Sequence, residues 1–79
     1  YFIMSNLPSI KAKDFIRVIE NLGFYFDRQK GSHAIYKNTN GLRVVVPIHQ
    51  GKDIKPGTLM GMIQDIGIDK ETFFKLVQK

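Results

Sequence analysis

Two histidines, His33 and His49, are the residues of this 79-residue chain best suited to acid–base chemistry. A histidine has an ordinary pKa of about 6.5, so it can accept and release protons near neutral pH. Arg28 and Lys30 precede His33 and could hold a phosphodiester by charge, while Gly31 would let a backbone approach closely. His33 could then remove the 2′-hydroxyl proton of RNA or protonate the leaving oxygen, a contribution of about 10²–10⁴-fold. The commoner role of a lone histidine in a strand is a packed or hydrogen-bonded one.

Other kinds of chemistry find little support in the sequence. The chain has no cysteine, which excludes disulfides, thiol nucleophiles and cysteine-ligated metals. Its seven carboxylates form no obvious pair, and no phosphate-binding loop or metalloprotease motif occurs. His33, His49 and Asp53 match no common ligand spacing. We therefore predict neither a metal site nor a cofactor.

The charge balance favours a polyanionic partner. Twelve lysines and arginines against seven acidic residues give a net charge of +5 and a pI near 9.7. A spread of basic charge on a small domain suits nucleic acid more often than an anionic membrane, although some small proteins are basic for solubility alone. The sequence contains no apolar run long enough to span a bilayer and no secretory signal, so we expect a cytoplasmic protein without membrane contact.

An amphipathic helix precedes the first histidine. Apolar residues recur at helical spacing between Ile10 and Leu22, at Ala12, Phe15, Ile16, Ile19 and Leu22. Pro8 and Ser9 supply an entry, with Ser9 as a candidate N-cap. Gly23 is suited to end the helix as the C′ residue.

Three strands follow, in residues 24–30, 32–37 and 42–46. Asn38-Thr39-Asn40-Gly41 predicts a hairpin turn, and Pro47 ends the third strand. Short connections indicate an antiparallel meander. Alternation places His33, Ile35 and Lys37 on one face and Ser32, Ala34 and Tyr36 on the other. The pattern leaves open which of these faces meets the helices.

Residues 48–55 are predicted as a polar loop, and Pro56 then opens a second helix. Its apolar stripe comprises Leu59, Met62, Ile63 and Ile66, and Gly67 closes it. Asp69 is a suitable N-cap for a short last helix. The expected fold is α+β, with helices on one face of a three-stranded antiparallel sheet and the other face open to a partner. Met4 resembles a natural start, so we expect a single domain over residues 4–79 with residues 1–3 outside it.

The sequence contains an ordered set of motifs that resembles the set found in the HicA family of mRNA interferase toxins. They are Gly31-Ser32-His33 in a strand, Val46-Pro47-Ile48-His49 with Gly51-Lys52, Gly57-Thr58-Leu59 at a helix start, and Gly67-Ile68 before a capped helix. Each motif alone is weak, whereas the ordered set is fairly specific. The likeness runs from about Ile10 to Val77.

The resemblance implies an α-β-β-β-α fold similar to double-stranded-RNA-binding domains. It also implies cleavage of mRNA that arrests translation, with His33 as the essential residue in a metal-independent transesterification. The implied partner is a HicB antitoxin that covers His33. Any contact with DNA would be made by this antitoxin. Basic residues often found on the second helix of this family are replaced here by Met60, Gly61, Met62 and Gln64. The candidate RNA contacts are therefore Arg28, Lys30, Gly31, Ser32, Lys37, Lys52 and Lys55.

Two questions stay open at this point. A second proton-transfer group could be Tyr36, Ser32, Lys30 or His49, and the sequence gives no ground for choosing. The chain could also be a non-catalytic RNA-binding module of the same fold that recognises the shape and backbone of RNA. A third possibility is a small interaction domain whose ligand is another protein.

Overall fold

The computed structural model describes residues 9–49 and 51–78, which contain five strands and three helices. In chain order they are β1 (Ile10–Lys11), α1 (Ala12–Asn21), β2 (Tyr25–Lys30), β3 (His33–Lys37), β4 (Arg43–Pro47), β5 (Asp53–Ile54), α2 (Pro56–Asp65) and α3 (Lys70–Val77). The order α1-β2-β3-β4-α2 confirms the predicted α+β fold and its likeness to double-stranded-RNA-binding domains. The expected start at Met4 and the entry through Pro8 lie outside the described residues.

Strands β2, β3 and β4 form an antiparallel meander with β3 at its centre. Asn38-Thr39-Asn40-Gly41 lies in the turn between β3 and β4, as predicted. The Asn38 side-chain oxygen accepts hydrogen bonds from the backbone N–H groups of Asn40 at 3.0 Å and Leu42 at 2.8 Å. Gly41 has a φ of +89°, whereas Asn40 keeps a negative φ. The Asn38 side chain thus adds two hydrogen bonds to those of the backbone, in which the Asn38 N–H donates to the Leu42 carbonyl and the Gly41 N–H to the Asn38 carbonyl.

The start of α1 corrects two predictions. Ile10 and Lys11 pair with Ile54 and Asp53 in a small antiparallel sheet, so the helix begins at Ala12 and not at Ile10. Ser9 is therefore not the N-cap; that position belongs to Lys11, whose side chain offers no acceptor. The predicted loop over residues 48–55 also contains β5. Two-residue strands are too short to leave a periodic signal in the sequence.

The end of α1 confirms the role of Gly23, which follows the helix with a φ of +99°. Glycine adopts this left-handed backbone without strain, and the Phe24 N–H then donates to the Ile19 carbonyl at 2.9 Å. Leu22 is 38% exposed and so lies outside the core, contrary to its place in the predicted apolar stripe. The buried side chain of Phe24 enters the core instead.

The last two helices follow their sequence signals. Pro56 occupies the first turn of α2, and α2 ends shortly before Gly67. The Asp69 carboxylate accepts a hydrogen bond from the Thr72 N–H at 2.7 Å, which confirms Asp69 as the N-cap of α3. Within residues 9–49 and 51–78, every helix is too short or too polar to span a bilayer.

The core identifies the sheet face that the helices cover. Ala34 and Tyr36 of β3 and Val44 and Val46 of β4 belong to one buried cluster with side chains from all three helices. The helical members include Phe15, Val18 and Ile19 of α1, Leu59, Met62 and Ile63 of α2, and Phe73 of α3. The rings of Phe15 and Phe73 lie 5.4 Å apart, so α3 closes over α1. His33, Ile35 and Lys37 consequently lie on the face that the helices leave uncovered, where Ile35 in the middle of the central strand is nevertheless buried.

The Asp69 cap predicts an acid-dependent contribution to stability. Its hydrogen bonds with Thr72 lower the pKa of Asp69 below its ordinary value of 3.8, and Lys75 acts in the same direction. The stabilisation is therefore fully present above pH 3.8 and is lost as the pH falls through the lower, folded-state pKa. We expect Asp69→Ala to lower the melting temperature at neutral pH and to narrow its difference from wild type in acid.

Thermal unfolding of wild type, Asp69→Ala and Asp69→Asn between pH 7 and about pH 2 measures this effect. Asparagine caps as well as aspartate but does not ionise, so Asp69→Asn should retain most of the stability without the acid dependence. A difference between wild type and Asp69→Asn that is the same at every pH would contradict the assignment.

Candidate functional site

A groove of about 550 Å³ lies on the uncovered face of the sheet, where β3 begins and β4 ends. It joins residues from β3, β4, the segment that follows β4, β5 and the start of α2. The lining residues are His33, Val45, Pro47, His49, Lys52, Asp53, Ile54, Lys55 and Thr58. Both histidines of the chain, which are 16 positions apart in sequence, therefore lie in one groove.

Strand pairing explains why both histidines line one groove. His33 lies directly opposite Pro47, so both side chains lie on the uncovered face. The Ile48 N–H donates to the Ser32 carbonyl at 2.6 Å, which extends the pairing by one residue, and the Ile48 side chain packs against the core. Alternation along the chain then turns His49 back to the uncovered face, beside His33.

Two lysines supply positive charge to the groove. Lys52 is brought back to it by a turn in which the Lys52 N–H donates to the His49 carbonyl at 3.0 Å. Lys55 lies immediately before α2 and is exposed, as is Thr58 in the first turn of that helix. Exposed cations beside exposed imidazoles form a surface suited to a phosphate backbone.

Asp53 is the acidic member of the lining, and hydrogen bonds already engage its carboxylate. Lys11 approaches one oxygen at 3.1 Å and the Ser9 hydroxyl the other at 3.3 Å. These contacts link β5 to the segment that precedes α1. Within residues 9–49 and 51–78, no three His, Cys, Asp or Glu side chains cluster closely enough to hold a metal ion.

Arg28 and Lys37 lie on the uncovered face but farther along the strands, outside the groove lining. Both contact Asp27, Arg28 at 2.8 Å and Lys37 at 3.5 Å. A β-bulge between Phe26 and Arg28 places Asp27 between these two cations. Asp27 therefore partly neutralises the positive charge of both side chains.

The Lys30-Gly31-Ser32 segment borders the groove without lining it. Lys30 is exposed and lies opposite His33 in the β2–β3 register. Gly31 and Ser32 form the connecting turn, in which the Gly31 carbonyl accepts from the Gln29 side chain at 3.0 Å. Of these three residues, Lys30 is the one placed to extend positive charge from the groove.

Tyr36 is separated from His33 by the sheet itself. Its side chain belongs to the core, is 6% exposed and stacks edge-on against Phe26 with ring centres 5.7 Å apart. Burial raises the pKa of Tyr36, and the negative charge of Glu20 raises it further. This position removes Tyr36 from the candidates for proton transfer in the groove. Tyr36 is three residues from His33, and residues an odd number of positions apart on a strand lie on opposite faces.

Sequence reasoning missed part of the groove. Val45, Pro47, Ile54 and Thr58 line it without being among the candidates from the sequence, which include Asp53 only as a metal ligand. The strand alternation that exposes His33 also predicts the exposure of Val45 and Pro47 once the β3–β4 register is known. Pro56 marks the start of α2, and Thr58 is two residues later. Thr58 could therefore have been placed in the first turn of the helix, close to Lys55, from the sequence.

Residues 12–68, well over half of the chain, match the family described as the HicA toxin of bacterial toxin–antitoxin systems. The matched segment contains every residue that lines the groove. It begins with the first residue of α1 and ends between α2 and α3. No match is found among curated proteins.

The buried phenol of Tyr36 predicts a loss of stability in alkali. A raised pKa means that the folded state favours the protonated phenol, so this contribution is complete below the ordinary value of 10.0 and is lost as the pH rises through the folded-state value. We expect the stability of wild type to fall relative to that of Tyr36→Phe as the pH rises above 10.0.

Urea unfolding of the two proteins at pH 8 and at increasing alkaline pH provides the measurement. Tyr25→Phe is the matched control for the loss of a tyrosine hydroxyl, because Tyr25 is 50% exposed and lies outside the core. A difference in unfolding free energy between wild type and Tyr36→Phe that stays constant across this pH range would contradict a raised pKa of the Tyr36 phenol.

Proposed function

The chain belongs to the HicA family of toxins from bacterial toxin–antitoxin systems, and we propose that it is an endoribonuclease that cleaves mRNA and thereby arrests translation. The observation that carries this proposal is the exposed imidazole of His33 in a groove bordered by Lys52 and Lys55. A proton-transfer group and cations in one accessible groove are what RNA cleavage requires.

The proposed reaction is transesterification by the RNA itself. The 2′-hydroxyl oxygen attacks the neighbouring phosphorus, and the bond from phosphorus to the 5′-oxygen breaks. His33 serves as an acid or base for one of the two proton transfers, and the lysines stabilise the charge that develops on phosphate. The reaction needs no metal ion.

The proposed RNA contacts fall into two groups by distance from His33. Lys52 and Lys55 line the groove, and Lys30 lies opposite His33 in the sheet. Arg28 and Lys37 contact Asp27 on the same face and extend the positive surface along the strands. Gly31 and Ser32 complete the Lys30 turn and give a backbone room to approach.

The second helix contributes less charge than this family often places there. In α2, Met62 is buried and Met60 half-buried, while Gly61 and Gln64 are exposed. A methyl group added at Gly61 would meet nothing within 4 Å, so packing does not require glycine at this position. The proposed RNA path therefore depends on β2, β3 and the segment between β4 and α2.

A toxin of a toxin–antitoxin system has an antitoxin partner, and we assign this partner to the HicB type. The proposed complex covers the groove and withholds His33 from RNA. An exposed groove on a chain of net charge +5 suits a partner with acidic side chains. Any association with DNA would come through the antitoxin, and the proposed site of action is the cytoplasm.

The test of catalysis is cleavage of a mixed-sequence single-stranded RNA in EDTA. We expect wild type to cut and His33→Ala to lose at least about 10²-fold in rate, because the variant lacks a proton-transfer group. Thr39→Ala, at an exposed turn at the far end of β3, is the matched control and should cut like wild type. Thermal unfolding verifies that all three proteins are folded.

Three other outcomes would contradict the proposal in different ways. Equal cutting by wild type and His33→Ala would place the activity elsewhere or in a contaminant. Activity that EDTA abolishes and Mg²⁺ restores would contradict the metal-independent reaction. RNA binding by wild type without cleavage, on free RNA and on translating ribosomes alike, would favour the non-catalytic RNA-binding module.

The salt dependence of RNA binding tests the role of the groove lysines. In the His33→Ala background, which leaves RNA intact, we expect the affinity to fall steeply with salt. Replacing both Lys52 and Lys55 by glutamine should reduce the log–log slope by about 1.4, since each phosphate neutralised on single-stranded RNA contributes about 0.7. Fluorescence anisotropy with a labelled RNA over a range of salt concentrations gives the slope.

Lys70→Gln combined with Lys75→Gln is the charge-matched control, because both lysines lie on α3 away from the groove. This control should bind RNA with the same slope as its parent. Equal slopes for the groove variant and its parent would mean that RNA does not follow the groove. Affinity that does not change with salt in any variant would favour a protein ligand.

A further inference from the structure

We propose that His49 is the second proton-transfer residue of the groove, so that His33 and His49 act as an acid–base pair on one phosphodiester. This inference rests on the proposed function, since it concerns how the same site would cleave RNA. The observations that carry it are the shared groove and the strand pairing that turns both imidazoles to one face.

The reaction needs two proton transfers, and one imidazole can be in the right place for only one of them at a time. A neutral imidazole takes the proton of the 2′-hydroxyl as its oxygen bonds to phosphorus. An imidazolium gives a proton to the 5′-oxygen as the phosphorus–oxygen bond breaks. The products are a 2′,3′-cyclic phosphate and a 5′-hydroxyl, and the two imidazoles end with their protonation states exchanged.

The backbone brings the two histidines to the same groove. His33 lies opposite Pro47, the last residue of β4. The hydrogen bond from the Ile48 N–H to the Ser32 carbonyl carries this alignment one residue further, and His49, which follows Ile48, lines the groove together with His33. The attacking and leaving oxygens lie on opposite sides of phosphorus, so an imidazole on each side of a bound phosphate can reach one of them.

The other candidates are placed less well. Tyr36 is buried on the opposite face of the sheet. Ser32 is half-buried, and alternation directs its side chain away from the face that His33 occupies. Lys30 is exposed beside His33 but does not line the groove, and an ammonium is better suited to holding phosphate than to exchanging protons near neutral pH.

His49 also lies between the groove and a second, smaller pocket of about 190 Å³. The two hollows share His49 and Lys52, and the smaller one adds Lys11 of β1 and Lys13 of α1. Positive charge thus continues from the groove past His49, which gives the RNA backbone a path on either side of the pair. The charged groups around the two histidines are Lys30, Lys52, Asp53, Lys55, Lys11 and Lys13.

The experiment compares wild type, His33→Ala, His49→Ala and His49→Gln in single-turnover cleavage of RNA in EDTA across a range of pH. We expect a bell-shaped profile for wild type, because one imidazole must be neutral and the other protonated. Both His49 variants should lose at least about 10²-fold in rate and one limb of the profile, with RNA affinity little changed. Glutamine retains a polar, hydrogen-bonding side chain but cannot carry the proton.

A substrate with a bridging sulfur at the scissile 5′ position separates the acid from the base. The thiolate leaves without a proton, so this RNA should restore cleavage to the variant that lacks the acid and not to the one that lacks the base. We expect rescue of either His33→Ala or His49→Ala, but not of both. Rescue of both variants, or of neither, would contradict the proposal that His33 and His49 act as an acid–base pair.

Two further results would overturn the pair while leaving the proposed function in place. One is wild-type cleavage with an unchanged pH profile in His49→Ala when His33→Ala is inactive. The other is full activity in His49→Gln, which would make His49 a binding or structural residue. Cleavage by His33→Ala at the wild-type rate would instead overturn the proposed function itself. Thermal unfolding of each variant shows that a lost rate is not a lost fold.

Discussion

The register between β3 and β4 is the constraint on which the groove depends. His33 faces Pro47, and the next backbone hydrogen bond, from Ile48 to Ser32, continues the same alignment. A slip of one residue would turn each side chain of one strand to the other face. The core enforces the register, because Ala34, Tyr36 and their partners on β4 must all point toward the helices.

Packing on one side of the sheet therefore determines the chemistry on the other. The helices cover one face with apolar side chains, and the uncovered face receives the alternate residues in a fixed order. The short β1–β5 sheet adds a second restraint, since it positions the chain between β4 and α2 that supplies Lys52 and Lys55. The contacts of Asp53 with Lys11 and Ser9 reinforce this connection.

Most of the fold could be predicted from local signals, and so could His33, His49, Lys52 and Lys55 as candidate residues, but not that these four side chains line one groove. Periodicity and Gly23, Pro56 and Asp69 located the helices, because each acts on its own few residues. The β1–β5 pair escaped prediction because it joins residues more than 40 positions apart through only two pairs. His33 and His49 line one groove because of the strand register, which alternation alone does not provide. Tyr36 was placed correctly on the face opposite His33, but only the packed core shows that this face is buried.

Within the part of the chain that the structure describes, no Asp, Glu, Lys, Arg, His, Ser, Thr, Asn or Gln residue is buried. The polar side chains that line the groove are all exposed, so their identities are not tied to the packing of the interior. Substitutions that alter the charge pattern of this surface therefore need no compensating change in the core. Under the proposal that an antitoxin covers the groove, a toxin and its antitoxin can diverge together along this surface, and related pairs can lose cross-recognition while the scaffold stays the same.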